Sequence, residues 1–192
     1  MTPLGILMVV VQAITTILIA DFFSGAFHWL EDAYGREDFP ITGRLFTKPN
    51  TLHHHDPRYF VRHSWLQSSW DLTLFCALIV AVAWRLHLLS WQVWLFAFVG
   101  ANANQIHKWA HRSRQENGRL ISFLHDCRLM QSPAHHAGHH TNPKRSHYCV
   151  LTDFVNPVLD RFGFWFGLEW LVQRLLSVSR RVDTSITHDH AA

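Results

Sequence analysis

Apolar residues are gathered into blocks along this chain. From Leu4 to Ala20 only Gln12, Thr15 and Thr16 interrupt an apolar run, and the helical pattern continues past Asp21 towards Trp29. At about 1.5 Å per residue, a helix of that length crosses a hydrocarbon layer of about 30 Å. A second run, Leu72 to Leu89, is broken only near its end, by Arg85 and His87, and a third, from Trp91 to about Ala103, follows after almost no loop. The two predict a membrane hairpin. Trp84, Arg85, His87 and Trp91 fall at its turn, where a lipid–water boundary tolerates aromatic rings and a snorkelling guanidinium. The expected spans are about residues 4–29, 71–89 and 91–106. The first run has neither the positively charged start nor the small-residue cleavage site of a signal peptide, which favours a retained helix.

Two shorter blocks follow. Arg119 to Met130 is amphipathic, and Phe162 to Leu176 carries Trp165, Phe166, Trp170 and Leu171. Both predict helices lying at the interface, the second over about 162–178, with a fourth span or re-entrant helix as the alternative. The polar segment 180–192 is expected to be a flexible tail. The pattern predicts an all-α integral membrane protein, a single domain over residues 1–179. It has three to four transmembrane helices, a cytoplasmic His-rich cap and interfacial helices.

Composition agrees. Of 192 residues 48% are hydrophobic and only 16% charged, with 9 Trp and 14 Phe, against about 25% charged in a soluble domain. Sixteen of the 17 Lys and Arg residues lie either between the first two apolar runs or after the third; Arg85 alone lies in the hairpin turn. The positive-inside rule assigns the populated side to the cytoplasm. The expected location is a multi-pass position in a bacterial inner membrane or, in a eukaryote, the endoplasmic reticulum. A net charge of +3 with no basic stripe and no nucleic-acid motif points to anionic lipid headgroups, not nucleic acid. Cys76, Cys127 and Cys149 form no close pair, which leaves out a disulfide framework and a thiolate zinc finger.

The 16 histidines change the picture most. Except for His87 they fall on the cytoplasmic side, in segments 28–63 and 107–147 and in the tail. His28 and Asp32 are four apart in HWLED, His107 and His111 four apart in HKWAH, and His136, His139 and His140 form HxxHH. On helices each set projects from one face. HHHDP places His53 and His54 before Pro57, which predicts a rigid, non-helical turn. Taken singly, His28–Asp32 also reads as an interfacial ion pair and His107–His111 as a polar helix end. A cluster of cationisable rings without metal, by contrast, costs repulsion. His63, His87, His125, His147, His188 and His190 stand alone. Asn102 and Asn104 are expected to serve helix or interhelical hydrogen bonds and not to bind metal. The patterned set of eight histidines with Asp32 exceeds the four ligands of one zinc and suits two metal ions, iron that activates O₂ among them. Glu-x-x-His, HExxH, P-loop, GxGxxG and GxSxG motifs are absent from the sequence.

GAFHWLEDAYG, HHHDP, NQIHKWAH, HHAGHHTNP and NPVLDRFGFW, in that order over about residues 20–170, resemble the Kua/CarF family of lipid desaturases. This family includes plasmanylethanolamine desaturases and, more distantly, a plant chloroplast palmitate desaturase. The resemblance implies a membrane di-iron enzyme with O₂ as co-substrate, and its metal positions fall on His28, Asp32, His53, His54, His107, His111, His136, His139 and His140. His135, His55 and His63 form a second tier. Because His55 fills the variable place of HHxDP, which two of the three adjacent rings bind stays open. No catalytic residue beyond the metal ligands is expected. Electrons must come from outside, from a cytochrome b5-like protein, a ferredoxin or a reductase. The preferred reaction forms the vinyl ether bond of plasmalogens from plasmanylethanolamine. An acyl-lipid (phosphatidylglycerol) desaturase or a lipid hydroxylase would use the same ligands. A divalent-metal transporter or a haem protein is the reading from another class.

Overall fold

The computed structural model describes residues 2–141 and 143–182. Among them the regular structure is helical, with no strand. The first helix, α1 (Pro3–Tyr34), starts from Thr2, whose hydroxyl accepts the Gly5 N–H, and from Pro3, which needs no helical donor. A π-helical turn, Gly43–Thr47, leads into α2 (Lys48–His55) and α3 (Pro57–Val61). Ser64 and Gln67 then close a capping box on α4 (Trp65–Arg85). After the turn at Leu86–Ser90, α5 (Trp91–Ala101) and α6 (Ala103–Ala110) return along α4.

α1 and α4 are each long and apolar enough to cross a membrane, and little of their apolar stretch is covered by protein. Leu7, Met8, Ile14, Leu74 and Leu78 are all more than half exposed, as is Phe98 on α5. Apolar side chains on that scale require a lipid solvent. Contacts fix the directions. Gln12 meets Gln92, Phe23 meets Phe96 and His28 meets His107, so α1 runs parallel to α5 and α6; Phe27 packs on Phe75 and α4 runs the other way. The end of α1, the start of α4 and the end of α6 therefore lie together, with His87 at the opposite end.

The third expected span is two helices. At Asn102 (φ −99°, ψ 4°) the helical path breaks; Asn102 Nδ2 donates to the Phe98 carbonyl and its Oδ1 accepts from Trp65 Nε1 at 3.0 Å. Asn104 bonds the Ser68 carbonyl, so both asparagines serve interhelical hydrogen bonds. The second span stops at Arg85, short of residue 89, because His87 takes a left-handed conformation. HHHDP is helical up to His55, and the break comes at Asp56, whose side chain caps α3.

Beyond α6, α7 (Arg114–Asp126) begins with a Ser113–Glu116 capping box and bends at Gly118, where φ is 69°. α8 (Pro133–Ala137), α9 (Val155–Arg161) and α10 (Phe164–Leu176) complete the chain. Between α8 and α9, residues 148–152 form an extended strap that lies buried against α1. Asp21, itself fully buried, accepts the Leu151 N–H at 2.8 Å and, on its other oxygen, the Thr152 N–H and hydroxyl at 3.1 and 2.6 Å. Gly25 permits this approach, since a Cβ there would sit 3.0 Å from the Cys149 backbone nitrogen. Trp29, Ala33, Tyr148, Cys149 and Trp165 form a core around the strap. Arg180 and Arg181, expected to open a loose tail, are instead anchored. Arg180 bonds Tyr148 and Glu169, while Arg181 bonds the Asp32 and Ala33 carbonyls and Thr51. His188 and His190 lie outside the described residues.

Candidate metal centre

Four helices, with the residue after α6 and the turn after α8, deliver nitrogen and oxygen donors to one place. α1 presents His28 and Asp32 one turn apart at its end, α2 presents His53 and His54, and α6 with the residue after it presents His107 and His111. α8 contributes His136, and the turn after it His139 and His140, so HxxHH is only partly helical. These nine residues form two groups, each with donor atoms within 4.8 Å of one another: His53, His107, His111, His136 and His140, and His28, Asp32, His54 and His139. The groups adjoin, with His28 and His107 rings 5.5 Å apart and His54 and His140 rings 5.3 Å apart.

In the first group, the Nε2 atoms of His107, His111 and His136 lie 2.8, 2.8 and 3.2 Å from one another, and His140 Nε2 is 3.2 Å from that of His136. A shared proton satisfies one such pair; a cation at the common focus satisfies all. Bonds of about 2.1 Å to a metal place neighbouring donors about 3.0 Å apart in an octahedron and about 3.4 Å apart in a tetrahedron. In the second group, Asp32 lies 3.2 Å from His54 Nε2 and 3.4 Å from His139 Nε2, and those two nitrogens are 3.4 Å apart. The residues present thus fit two metal ions, one in an all-imidazole set and one in a set that includes a carboxylate.

Surroundings favour the same use. His28 and His139 donate from Nδ1 to the Tyr148 and Ser146 carbonyls at 3.1 and 2.8 Å, which leaves Nε2 as the free lone pair. His28 Nε2 and both nitrogens of His53 are buried without a hydrogen-bond partner. Burial disfavours the charged form of three of these rings, as ligation needs: His111 is pushed down to about 3 by burial and then by His139 and His54, and His53 and His136 lie well below the ordinary range, first by burial. Asn50 donates to Asp32 Oδ1 at 2.6 Å and orients the carboxylate.

The second-tier histidines stand outside both groups. α2 turns His55 to the exposed side, so His53 and His54 are the pair of the three that face inward. His63 bonds the Tyr59 carbonyl, and His135 pairs with Asn156 and packs against His147. Sequence patterns missed Asn50, Tyr148 and Arg181. They act through a side-chain amide or backbone carbonyls across long separations, and only the polar Asn50 beside HHHDP offered any signal.

A cavity opens against the centre. His28, His53 and His107 form part of its wall, and Phe23, Phe27, Leu72, Phe75 and Phe96 line its apolar depth.

A sequence-family profile described as the lipid desaturase domain matches residues 17–183. The chain is 35% identical to plasmanylethanolamine desaturase 1 of Mus musculus, over 95% of this chain and 70% of that protein. It is 31% identical to the plasmanylethanolamine desaturase of Myxococcus xanthus, over 81% of this chain and 57% of that one. With the chloroplastic fatty acid desaturase 4 of Arabidopsis thaliana it shares 30% identity, over 85% of this chain and 51% of that protein. The chain thus spans between half and about two thirds of the length of these relatives. No solved structure matches.

Proposed function

Because the chain belongs to the lipid desaturase family, we propose that it is a multi-pass membrane enzyme that uses two iron ions, O₂ and external electrons to introduce a double bond into a lipid chain. The preferred reaction is formation of the vinyl ether bond of a plasmalogen from plasmanylethanolamine, in line with the names of the mouse and Myxococcus relatives. The observation that carries the reading is the convergence of nine donors into two adjoining groups beside an apolar cavity.

His53, His107, His111, His136 and His140 would hold one iron, and His28, Asp32, His54 and His139 the other. Bound iron would supply what side chains lack: activation of O₂ and removal of hydrogen from an unactivated chain. The protein's own part is geometric. The Tyr148 and Ser146 carbonyls fix the tautomers of His28 and His139, Asn50 holds Asp32, and the phenylalanine-lined cavity presents an alkyl chain to the imidazoles while excluding water. The centre lies at the cytoplasmic ends of the spans, within reach of a soluble or membrane-bound electron donor such as a cytochrome b5-like protein, a ferredoxin or a reductase. α10, with Phe166, Trp170, Leu175 and Leu176 exposed, lies on the same interface.

The test combines metal analysis with lipid mass spectrometry of cells that express the protein. Two irons per chain and acid-labile ethanolamine lipids 2 Da lighter are expected. A 2 Da loss confined to an ester-linked acyl group would place the activity with the acyl-lipid desaturases, a 16 Da gain would make it a hydroxylase, and one redox-inactive ion with metal uptake into vesicles would overturn the enzyme reading.

A further inference from the structure

The cavity beside the histidines carries a charge pattern of its own. Along α1 its wall passes from Ala20 and Phe23 to Glu31, and along α4 from Cys76 and Phe75 to Asp71. The helices run in opposite directions, so the two carboxylates meet at the same end, the one that holds the histidines. Phe27 of α1 and Phe75 of α4 pack with ring centroids 4.9 Å apart, and each carboxylate stands four residues further towards the histidine end of its own helix. Asp71 accepts the Leu72 N–H of its own helix, and among the described residues no side chain donates to either carboxylate. The cavity wall contains no Lys or Arg. Arg181, whose charge reaches Glu31, lies outside the wall, its donors directed at the Asp32 carbonyl and Thr51. Aromatic faces flank the same end: Trp70 stacks on Phe46 at 5.9 Å, and Tyr59 lies beside them in the wall. His53, buried and with both ring nitrogens unpartnered, closes the inner side.

Resting on the desaturase reading, we propose that Glu31 and Asp71 are the headgroup site of this cavity and take the ammonium of a zwitterionic lipid. A cation at the end of a cavity that carries two carboxyl groups favours their ionised form, and aromatic walls add attraction to an ammonium. An anionic headgroup finds no Lys or Arg in the wall to pair with. Placement also selects the part of the lipid presented. Glu31 stands one helical turn, about 4.5 Å of axial rise, from His28. A lipid held there presents its headgroup-proximal part, not its methyl end, to the imidazoles, while the methyl end runs towards Ala20 and Phe23.

Purified iron-loaded protein is offered equimolar 1-alkyl-2-acyl lipids of matched chains that bear phosphoethanolamine, N-acetylated phosphoethanolamine or phosphoglycerol, and bound lipid is counted by native mass spectrometry. The ethanolamine lipid is expected to be retained at least about tenfold over each of the others. The Glu31→Gln/Asp71→Asn double variant should bring that ratio near one while iron per chain stays at the wild-type value. Equal retention of the free and acetylated amine by the wild-type protein overturns the proposal even if the variant does not fold, and so does an unchanged ratio in a folded variant. Turnover without headgroup preference sinks this inference alone, whereas headgroup preference without iron or turnover sinks the desaturase reading alone.

Discussion

His139 and His140 are chain neighbours that face different groups: His139 Nε2 lies 3.4 Å from Asp32, and His140 Nε2 lies 3.2 Å from that of His136. His53 and His54 divide in the same way, so each doublet spans both candidate metal positions. Replacing His107 or His136 by Ala should abolish product and lower bound iron from two ions per chain to one or none, whereas His87→Ala, at the far end of the spans, should change neither. Equal losses in all three would refute the two-group site. Arg181 acts one step removed. Its Nε–H bonds the Asp32 carbonyl at 2.8 Å, its backbone N–H the Ala33 carbonyl at 2.8 Å, and its guanidinium Thr51 of α2 at 3.2 Å. Arg181→Ala should weaken iron binding about ten- to hundredfold in chelator competition, the usual cost of losing a residue that orients ligands. Arg181→Lys should recover part of it, because a side-chain donor survives; the backbone bond to Ala33 is common to all three. The nine donors were legible in the sequence because they repeat at four-residue spacing or sit in doublets. Arg181 was not, since nothing local marks a residue that reaches back 149 positions.

At the scale of elements, α1 is both a membrane helix and the post to which the strap 148–152 is tied. Asp21→Ala would leave two buried backbone N–H groups and a hydroxyl without their acceptor. The expected cost is about 2–4 kcal/mol in reversible unfolding in detergent. Gly25→Ala forces the helix and the strap apart at a backbone contact, with a loss of about 1–3 kcal/mol expected in the same assay. The helices themselves were readable, from long apolar runs for α1, α4 and α5 and from an amphipathic block for α7. The break at Asn102 was not, because it depends on a tryptophan 37 residues away. Nor was the helical state of His53–His55, where Pro57 suggested an earlier end but Asp56 provides it.

For the whole molecule, the donors sit at one end of α1, α4 and the α5–α6 pair, and the hairpin turn at the other. Cys127 is exposed on the donor side, whereas Cys76 and Cys149 are buried. Impermeant maleimide added to sealed vesicles should label a Ser90→Cys variant and Cys127 from opposite faces; labelling of both from one face would break the topology. The overall class and the one-sidedness of the histidines were visible in the distribution of apolar blocks and basic residues. The path of the strap was hidden, because extended segments that hydrogen-bond to side chains leave no periodic trace.

The dispersal of the donors sets an order of events in the cell. His28 and Asp32 emerge from the ribosome early, yet their partner His139 is synthesised more than a hundred residues later. An interrupted polypeptide therefore lacks part of both donor groups. On the proposed function, both ions would be held only by a chain whose last donor-bearing loop has folded back onto α1.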